Sequence, residues 1–283
     1  MAPLVWLVTG CSSGFGREFI HEILKRGDKA IATARRPETL KDLQEAGAAV
    51  LQLDVIWDQK RINETISDAI AIYGQLDVLI NNAAYCLGGA WEDLSYEEFR
   101  DAFETNVFGP LKVTKAVLPH MRARKTGTNV FISSISGWSG MEFNGGYAGT
   151  KFAIEGMVES LDREVKPLGL RTLIIEPGFF RTDFLSQGNL KTKESSIPDY
   201  VEASKAFNRL LEEKNHAQAG DPKKGVAVVV DLVRQEGVAK DKKIPVRMAL
   251  GQDAYELIKG KCRKTIELLE DWKDVISSTD LDA

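Results

Sequence analysis

This 283-residue sequence offers little for a disulfide, a metal or a membrane to act on. Its three cysteines, Cys11, Cys86 and Cys262, are odd in number and far apart, with no CxxC pair. That excludes a disulfide framework, a zinc knuckle and a thioredoxin-like motif, and the three read as reduced cytosolic thiols. His21, His120 and His216 are equally scattered and have no acidic or thiol companions at ligand spacing, so no metal is expected. No apolar run approaches the roughly 20 residues of a spanning helix, and the run from Leu4 to Val8 is too short even for a signal peptide. The closing Asp280-Leu281-Asp282-Ala283 matches no retention or peroxisomal signal. An excess of basic charge is missing too. With 37 basic against 41 acidic side chains the formal net charge is -4, which gives no footprint for nucleic acid. A cytoplasmic protein without a membrane span is expected.

What is present suits one large domain over residues 1–283: 43% hydrophobic residues, with no linker, repeat or low-complexity tract. Short β-branched or Leu-rich runs at 3–9, 29–34, 50–54, 76–81, 128–134, 170–176 and 244–250 read as strands, with helical periodicity between nearly all of them. The alternation predicts an α/β fold, a doubly wound parallel sheet of about seven strands with helices on both faces. Segment 58–73 sets Ile62, Ile66, Ala69, Ile70 and Tyr73 in one stripe, and segment 146–167 does the same with Phe152, Met157, Val158, Leu161 and Val165. From 184 to 200 the pattern lapses into polar residues, which reads as a mobile substrate loop. Asp221-Pro222 then gives an N-cap and an N1 proline to a helix through Val233. An amphipathic helix over 253–276 is expected to dock on the body rather than serve a partner or a membrane surface, with a frayed tail at 277–283.

The first strand runs into Thr9-Gly10-Cys11-Ser12-Ser13-Gly14-Phe15-Gly16, and a helical pattern follows. Three glycines at a strand-to-helix turn permit positive φ and close approach of a ligand, while the free N–H groups and dipole of the helix start attract a phosphate. The spacing, TGxxxGxG rather than GxGxxG, resembles the short-chain dehydrogenase/reductase family. Further marks of that family follow in order: Asn81-Asn82-Ala83-Ala84, Asn106, Ser134, Tyr147 with Lys151 as YxxxK, and Pro177-Gly178 with Thr182. The resemblance covers residues 3 to about 183 and implies a Rossmann-type fold binding a nicotinamide dinucleotide. The wording of the glycine turn is similar to that of hydroxysteroid and retinol dehydrogenase-like members, although similarity of fold does not assign a substrate.

In a dinucleotide fold an acid at the end of the second strand holds the ribose hydroxyls and repels a 2′-phosphate. Here Ala34 takes that place and Arg35 and Arg36 follow it, so NADP(H) is expected over NAD(H), with a solvated charged corner as the alternative. Ser13 stands where many NADP-preferring relatives carry a base. Asp54, followed by Val55, resembles the family's adenine-edge acceptor, and a turn or N-cap aspartate is the other reading. The resemblance implies that the Asn81 to Ala83 backbone walls the ribose, that the backbone from Pro177 through Gly178 to Phe180 orients the carboxamide, and that Thr182 lies near the pyrophosphate. Ser12, Ser13, Gly14, Phe15 and Gly16 would then surround the phosphates.

Tyr147 and Lys151 are four apart on a helix and rise from one face. An ammonium about 4 Å from a phenol favours phenolate by up to ~4 kcal/mol at an effective dielectric of about 20, enough to bring a pKa near 10 towards neutrality. By resemblance Ser134 holds the substrate oxygen, with Ser133 and Ser136 as rivals, Asn106 anchors a water leading to the lysine, and Lys151 also fixes ribose hydroxyls. The expected reaction interconverts a ketone or aldehyde and its alcohol, with Tyr147 as general acid or base. Tyr85, Leu87, Trp138, Met141, Phe143, Phe179, Phe184 and Leu185 make the expected surroundings apolar, which suits a small hydrophobic carbonyl compound. Two alternatives stay open: a non-catalytic NADP(H) sensor binding a partner through 253–276, and epimerisation or dehydration at the same site. Oligomeric state is not legible in the sequence; the family often pairs its two long central helices between subunits, which leaves a homo-oligomer open.

Overall fold

The computed structural model describes residues 3–186 and 188–281. Among the described residues nine strands form two sheets: β1 (Val5–Val8), β2 (Lys29–Ala34), β3 (Ala49–Gln52), β4 (Val78–Asn81), β5 (Cys86–Gly88), β6 (Thr128–Ile132), β7 (Arg171–Pro177), β8 (Leu190–Thr192) and β9 (Arg247–Leu250). Seven of them make a parallel sheet in the order β3-β2-β1-β4-β6-β7-β9, the Rossmann-like arrangement expected. The helices are α1 (Gly14–Lys25), α2 (Lys41–Glu45), α3 (Gln59–Tyr73), α4 (Tyr96–Phe103), α5 (Gly109–Arg124), α6 (Gly145–Val165), α7 (Val201–Lys214), α8 (Pro222–Arg234), α9 (Gln252–Asp271) and α10 (Lys273–Ser277).

Strand side chains alternate between two cores, as the period of two demands. Trp6 and Val8 of β1 join Phe19 and Ile23 of α1 and Val226 and Val229 of α8 on one face. On the other, Val5 and Leu7 join Ile62 and Ile66 of α3 and Val113 and Val117 of α5. Because both faces are covered, β1 is buried at every position, and its apolar run does not alternate with polar residues. The N-cap Asp58 starts α3, and Asp221 with Pro222 starts α8. Strand order reverses at β1, with β2 on one side and β4 on the other, which opens a crevice at the carboxyl ends of the strands.

Three expectations need correction. Residues 184–200 are not wholly irregular: β8 pairs in parallel with β5, Leu190 opposite Cys86 and Thr192 opposite Gly88. Gln187 lies outside the described residues. Helix α7 was not anticipated at all, although Val201, Ser204, Phe207 and Leu211 recur at intervals of three and four. The segment expected to dock along its length as a C-terminal helix touches the body only through its first turns. In α9 only Ala254 is buried, and every residue from Lys261 to Leu281 is exposed. The last two residues of the expected frayed tail lie outside the described residues. Among the described residues no helix is long and apolar enough to cross a membrane.

Candidate active site

A cavity of about 480 Å³ opens at the carboxyl ends of β1, β2, β4, β6 and β7. Its floor begins at the glycine turn. Gly10 has φ +71° and lies so close to the next loop that a Cβ there would stand 2.9 Å from Ala83 Cα. A Cβ at Gly16 would run into the Gly10 carbonyl. Asn82 fixes this approach by donating to Thr9 O at 2.9 Å and Gly10 O at 3.1 Å, and the N–H groups of Asn82 and Ala83 donate to Thr9 Oγ1. The Ser13 side chain does not cap α1, so the opening amides of a 12-residue helix face the cavity without a side-chain acceptor. Such an arrangement can accept a phosphate, and its glycines leave the approach open.

Gly10, Ser12, Ser13, Gly14 and Phe15 line the cavity; Gly16 lies beneath it against Gly10. Arg35 lines it beside Ala34, whereas Arg36 is not part of the lining and its carbonyl accepts from Thr39. Asp54 and Val55 line it, and the Asp54 carboxylate accepts from Ile56 N at 3.2 Å, so turn and cavity positions coincide. Ala83 lines the cavity, while Asn81 is buried beneath it with its side chain donating to Thr114. Across the opening, Pro177, Gly178, Phe180 and Thr182 complete the wall. Phe180 stacks edge-on with Phe15 at 5.1 Å, and Thr182 lies against Gly14, joining the loop after β7 to the glycine turn.

At the cavity's inner end Ser134, Tyr147 and Lys151 come together. Tyr147 and Lys151 are buried on one face of α6, with Lys151 Nζ 5.5 Å from the phenol ring centroid and donating to Ile132 O at 2.8 Å. Ser134 accepts from Ser136 N and lies near enough to the Tyr147 hydroxyl to act on its acidity. The rival serines are engaged elsewhere: Ser133 donates to Glu155 at 2.5 Å, and Ser136 accepts from Asn144. Asn106 sits in a π-helical turn between α4 and α5, where its side chain brackets Tyr85 and donates to Thr150 of α6. It does not line the cavity; it ties the loop after β4 to the helix carrying Tyr147.

The electrostatic balance differs from the sequence expectation. Burial pushes the Tyr147 phenol above its usual range, and the nearby Ser134 hydroxyl only partly opposes this. Burial likewise drives Lys151 down to about 8, against the pull of nearby Glu155. Desolvation wins because both groups are closed off from water, and the ammonium is spent on a carbonyl rather than aimed at the phenol oxygen. A phenol held neutral is a proton donor.

Of the apolar residues expected around the site, Tyr85, Met141, Phe179, Phe184 and Leu185 line the cavity, with Phe184 packed 5.7 Å from the Tyr147 ring. Leu87 is core, Phe143 packs on Tyr200 and Phe207, and Trp138 lies under Arg247. Sequence reasoning missed Phe207 and Leu211, which α7 brings to the wall, together with Cys86, Asn144 and Gln218. The helical spacing of α7 was the signal that could have found the first two.

Comparison with known proteins identifies the family. The profile of the short chain dehydrogenase family matches residues 4–193. An uncharacterized oxidoreductase, YusZ of Bacillus subtilis, is 35% identical over 87% of this chain and 90% of its own. A 3-ketodihydrosphingosine reductase of Bacteroides thetaiotaomicron is 30% identical over 88% and 91%. Human retinol dehydrogenase 8 is 39% identical over 65% of this chain and 61% of its own. A crystal structure of a short-chain dehydrogenase from Streptomyces avermitilis superimposes with a TM-score of 0.88 and 39% identity over 99% of each chain. The chain therefore belongs to the short-chain dehydrogenase/reductase family of NAD(P)-binding oxidoreductases.

Proposed function

We propose that this protein is an NADP(H)-dependent carbonyl reductase that interconverts a hydrophobic ketone or aldehyde and its alcohol. The observation that carries the reading is the meeting of Ser134 with the buried Tyr147 and Lys151 in a cavity that Met141, Phe179, Phe184, Leu185 and Phe207 line together with polar residues, Asp101, Glu104 and Lys191 among them. The nicotinamide, when bound, supplies or accepts the hydride at the carbonyl carbon. The protein's part is to hold the carbonyl oxygen and manage one proton. Ser134 and the Tyr147 hydroxyl both donate towards that oxygen, and as negative charge builds on it Tyr147 gives up its proton. A phenol kept protonated by burial favours the reducing direction. Lys151 holds its ammonium beside the resulting phenolate and, with the cofactor bound, would hold its ribose hydroxyls. Asn106 is a positioning residue, since it acts through Tyr85 and Thr150 rather than on the reacting atoms.

Cofactor choice rests on Arg35, whose guanidinium reaches a cavity wall where Ala34 leaves no carboxylate to repel a 2′-phosphate. Phosphates would sit on the amides from Ser12 to Phe15, the adenine edge by Asp54 and Val55, and the carboxamide against Pro177 to Phe180. The names of two relatives, a ketodihydrosphingosine reductase and a retinol dehydrogenase, agree with a long apolar substrate. The test follows NADPH absorbance against a panel of apolar ketones. Tyr147→Phe is expected to lose about 10²–10⁴ in turnover while NADPH binding, read by fluorescence, is kept. Equal turnover in the variant would end the acid-base assignment.

A further inference from the structure

From Lys261 onward α9 and α10 stand away from the rest of the protein, yet they are not polar. Ile266, Leu268, Leu269, Trp272, Val275 and Ile276 are each about half exposed or more, from 49% at Ile276 to 61% at Ile266. Most of the stability of a helix in a protein comes from packing its amphipathic face rather than from propensity. Tyr255, Ile258, Cys262, Thr265, Leu269, Trp272 and Ile276 follow one another at intervals of three, four, three, four, three and four. This is the 3.5-residue period of a helix that packs against another helix along its whole length.

The charges on the same segment identify the partner. Between 256 and 264, Lys259, Lys261, Arg263 and Lys264 outweigh Glu256, a net of +3. Between 265 and 276, Glu267, Glu270, Asp271 and Asp274 outweigh Lys273, a net of -3. Two copies aligned in parallel would stack like charge on like, whereas antiparallel copies set each basic half against an acidic half. A membrane surface is the poorer match. The segment has no net charge, and its acidic half, which carries most of the apolar residues, would be repelled by anionic lipid.

We propose that residues 255–276 form an antiparallel helical pair with the same segment of a second copy of this chain. With the two-fold axis near Glu267, the seam layers are Ile258 against Ile276, Cys262 against Trp272, and Thr265 against Leu269. This contact is separate from the central helices that the family commonly pairs. It is also rooted at the cofactor cavity: the Asp253 carboxylate accepts from Phe179 N at 2.7 Å, and a Cβ at Gly178 would collide with it. The pair therefore anchors the helix whose first turn braces the Gly178 and Phe179 backbone.

Sedimentation or light scattering on the full chain gives the test. K261E/K264E and E267K/E270K each give the two halves net charge of the same sign, -1 and -3 in the first and +3 and +1 in the second, and each is expected to run at half the particle mass of the wild type, with unchanged circular dichroism. Mixing the two is expected to restore the wild-type mass. Leu269→Glu should halve the mass without rescue by either. Mild oxidation should leave wild-type Cys262 uncrosslinked, because antiparallel copies hold the two thiols about ten residues apart, roughly 15 Å. Trp272→Cys should crosslink Cys262 to the introduced thiol of the second copy. A monomeric wild type at micromolar concentration, a mass indifferent to all three variants, a Cys262–Cys262 disulfide, or a monomer that partitions onto phosphatidylcholine–phosphatidylserine vesicles would each overturn the proposal.

Discussion

Behind the reacting groups Arg247 serves as counter-ion to three carboxylates. Its guanidinium donates to Glu176 and Glu159 at 2.6 Å each, pairs with Glu155, and stacks 4.5 Å from the Trp138 ring. The side chains of Glu155 and Glu176 are only 3% exposed, while that of Arg247 keeps 26% of its surface in water. Replacing Arg247 with Met retains much of the apolar stem but leaves two buried carboxylates without a counter-charge. Breaking one partner out of a buried ion pair costs about 3–5 kcal/mol, and the partial exposure of Arg247 argues for the lower end, about 3 kcal/mol. In a chain of this size that lowers Tm by roughly 6–12 °C.

The deficit has a pH signature. Burial already holds the Glu155 carboxyl up at about 7 against the lowering effect of Ser133 and Arg247. Its folded pKa exceeds its ordinary value of 4.5, so the native state holds the extra proton between those values, and stability falls as pH rises through about 7. Without Arg247 the carboxyl rises further, which widens the window over which deprotonation opposes folding. Calorimetry should therefore find a larger Tm deficit for Arg247→Met at pH 8 than at pH 5.5. Arg247→Lys should recover part of it, because a charge returns without the fork. A deficit under about 1 kcal/mol, or one independent of pH, would refute the reasoning.

Two other outcomes follow from the site. Arg35→Ala is expected to weaken NADPH by tenfold or more and NADH little, through loss of a charge-assisted phosphate contact; equal losses in titrations with both cofactors would remove the phosphate role. Because Lys151 is pushed down to about 8, kcat/KM for reduction should fall as pH rises through about 8. Lys151→Arg, which keeps its charge, should lower the rate but abolish that break, and a wild-type profile flat to pH 9.5 would contradict the role given to the ammonium.

The parts of this molecule legible in its sequence are those whose signal is local. Runs such as Val5 to Val8 are apolar at every position because both faces of the sheet are covered, and Asp221 marks a helix start through a side-chain oxygen that finds the amides two and three residues on. The ends of strands are less legible: Ser134 reads as part of a strand but caps a 3₁₀ turn, since pairing with β7 stops at Ile132. Strands β5 and β8 are three residues each and are defined by one another across about a hundred positions, so neither has a pattern of its own. The 253–276 stripe shows in the sequence that an apolar face exists, but periodicity does not say which surface covers it, and the expected docking on the body fails from Lys261 onward. The Arg247 cluster joins residues 71 to 92 positions apart, and nothing near Arg247 in the chain announces them.

One arrangement connects the legible half of the site to the illegible half. Tyr147, Lys151, Glu155 and Glu159 are four apart in succession, so they form a single stripe along α6, from phenol to ammonium to two carboxylates, and the stripe ends on Arg247. Each buried charge is offset by the next one outward, until the partly hydrated guanidinium returns the chain to water. Glu155 is among the groups that oppose the fall of Lys151, and Arg247 is among the groups that keep Glu155 charged. Removing Arg247 neutralises Glu155 over a wider pH range and withdraws that support from the ammonium. The pH break in kcat/KM should accordingly move below about 8 in Arg247→Met, although Arg247 touches none of the reacting groups. A merely structural role would lower Tm and leave the break where it was.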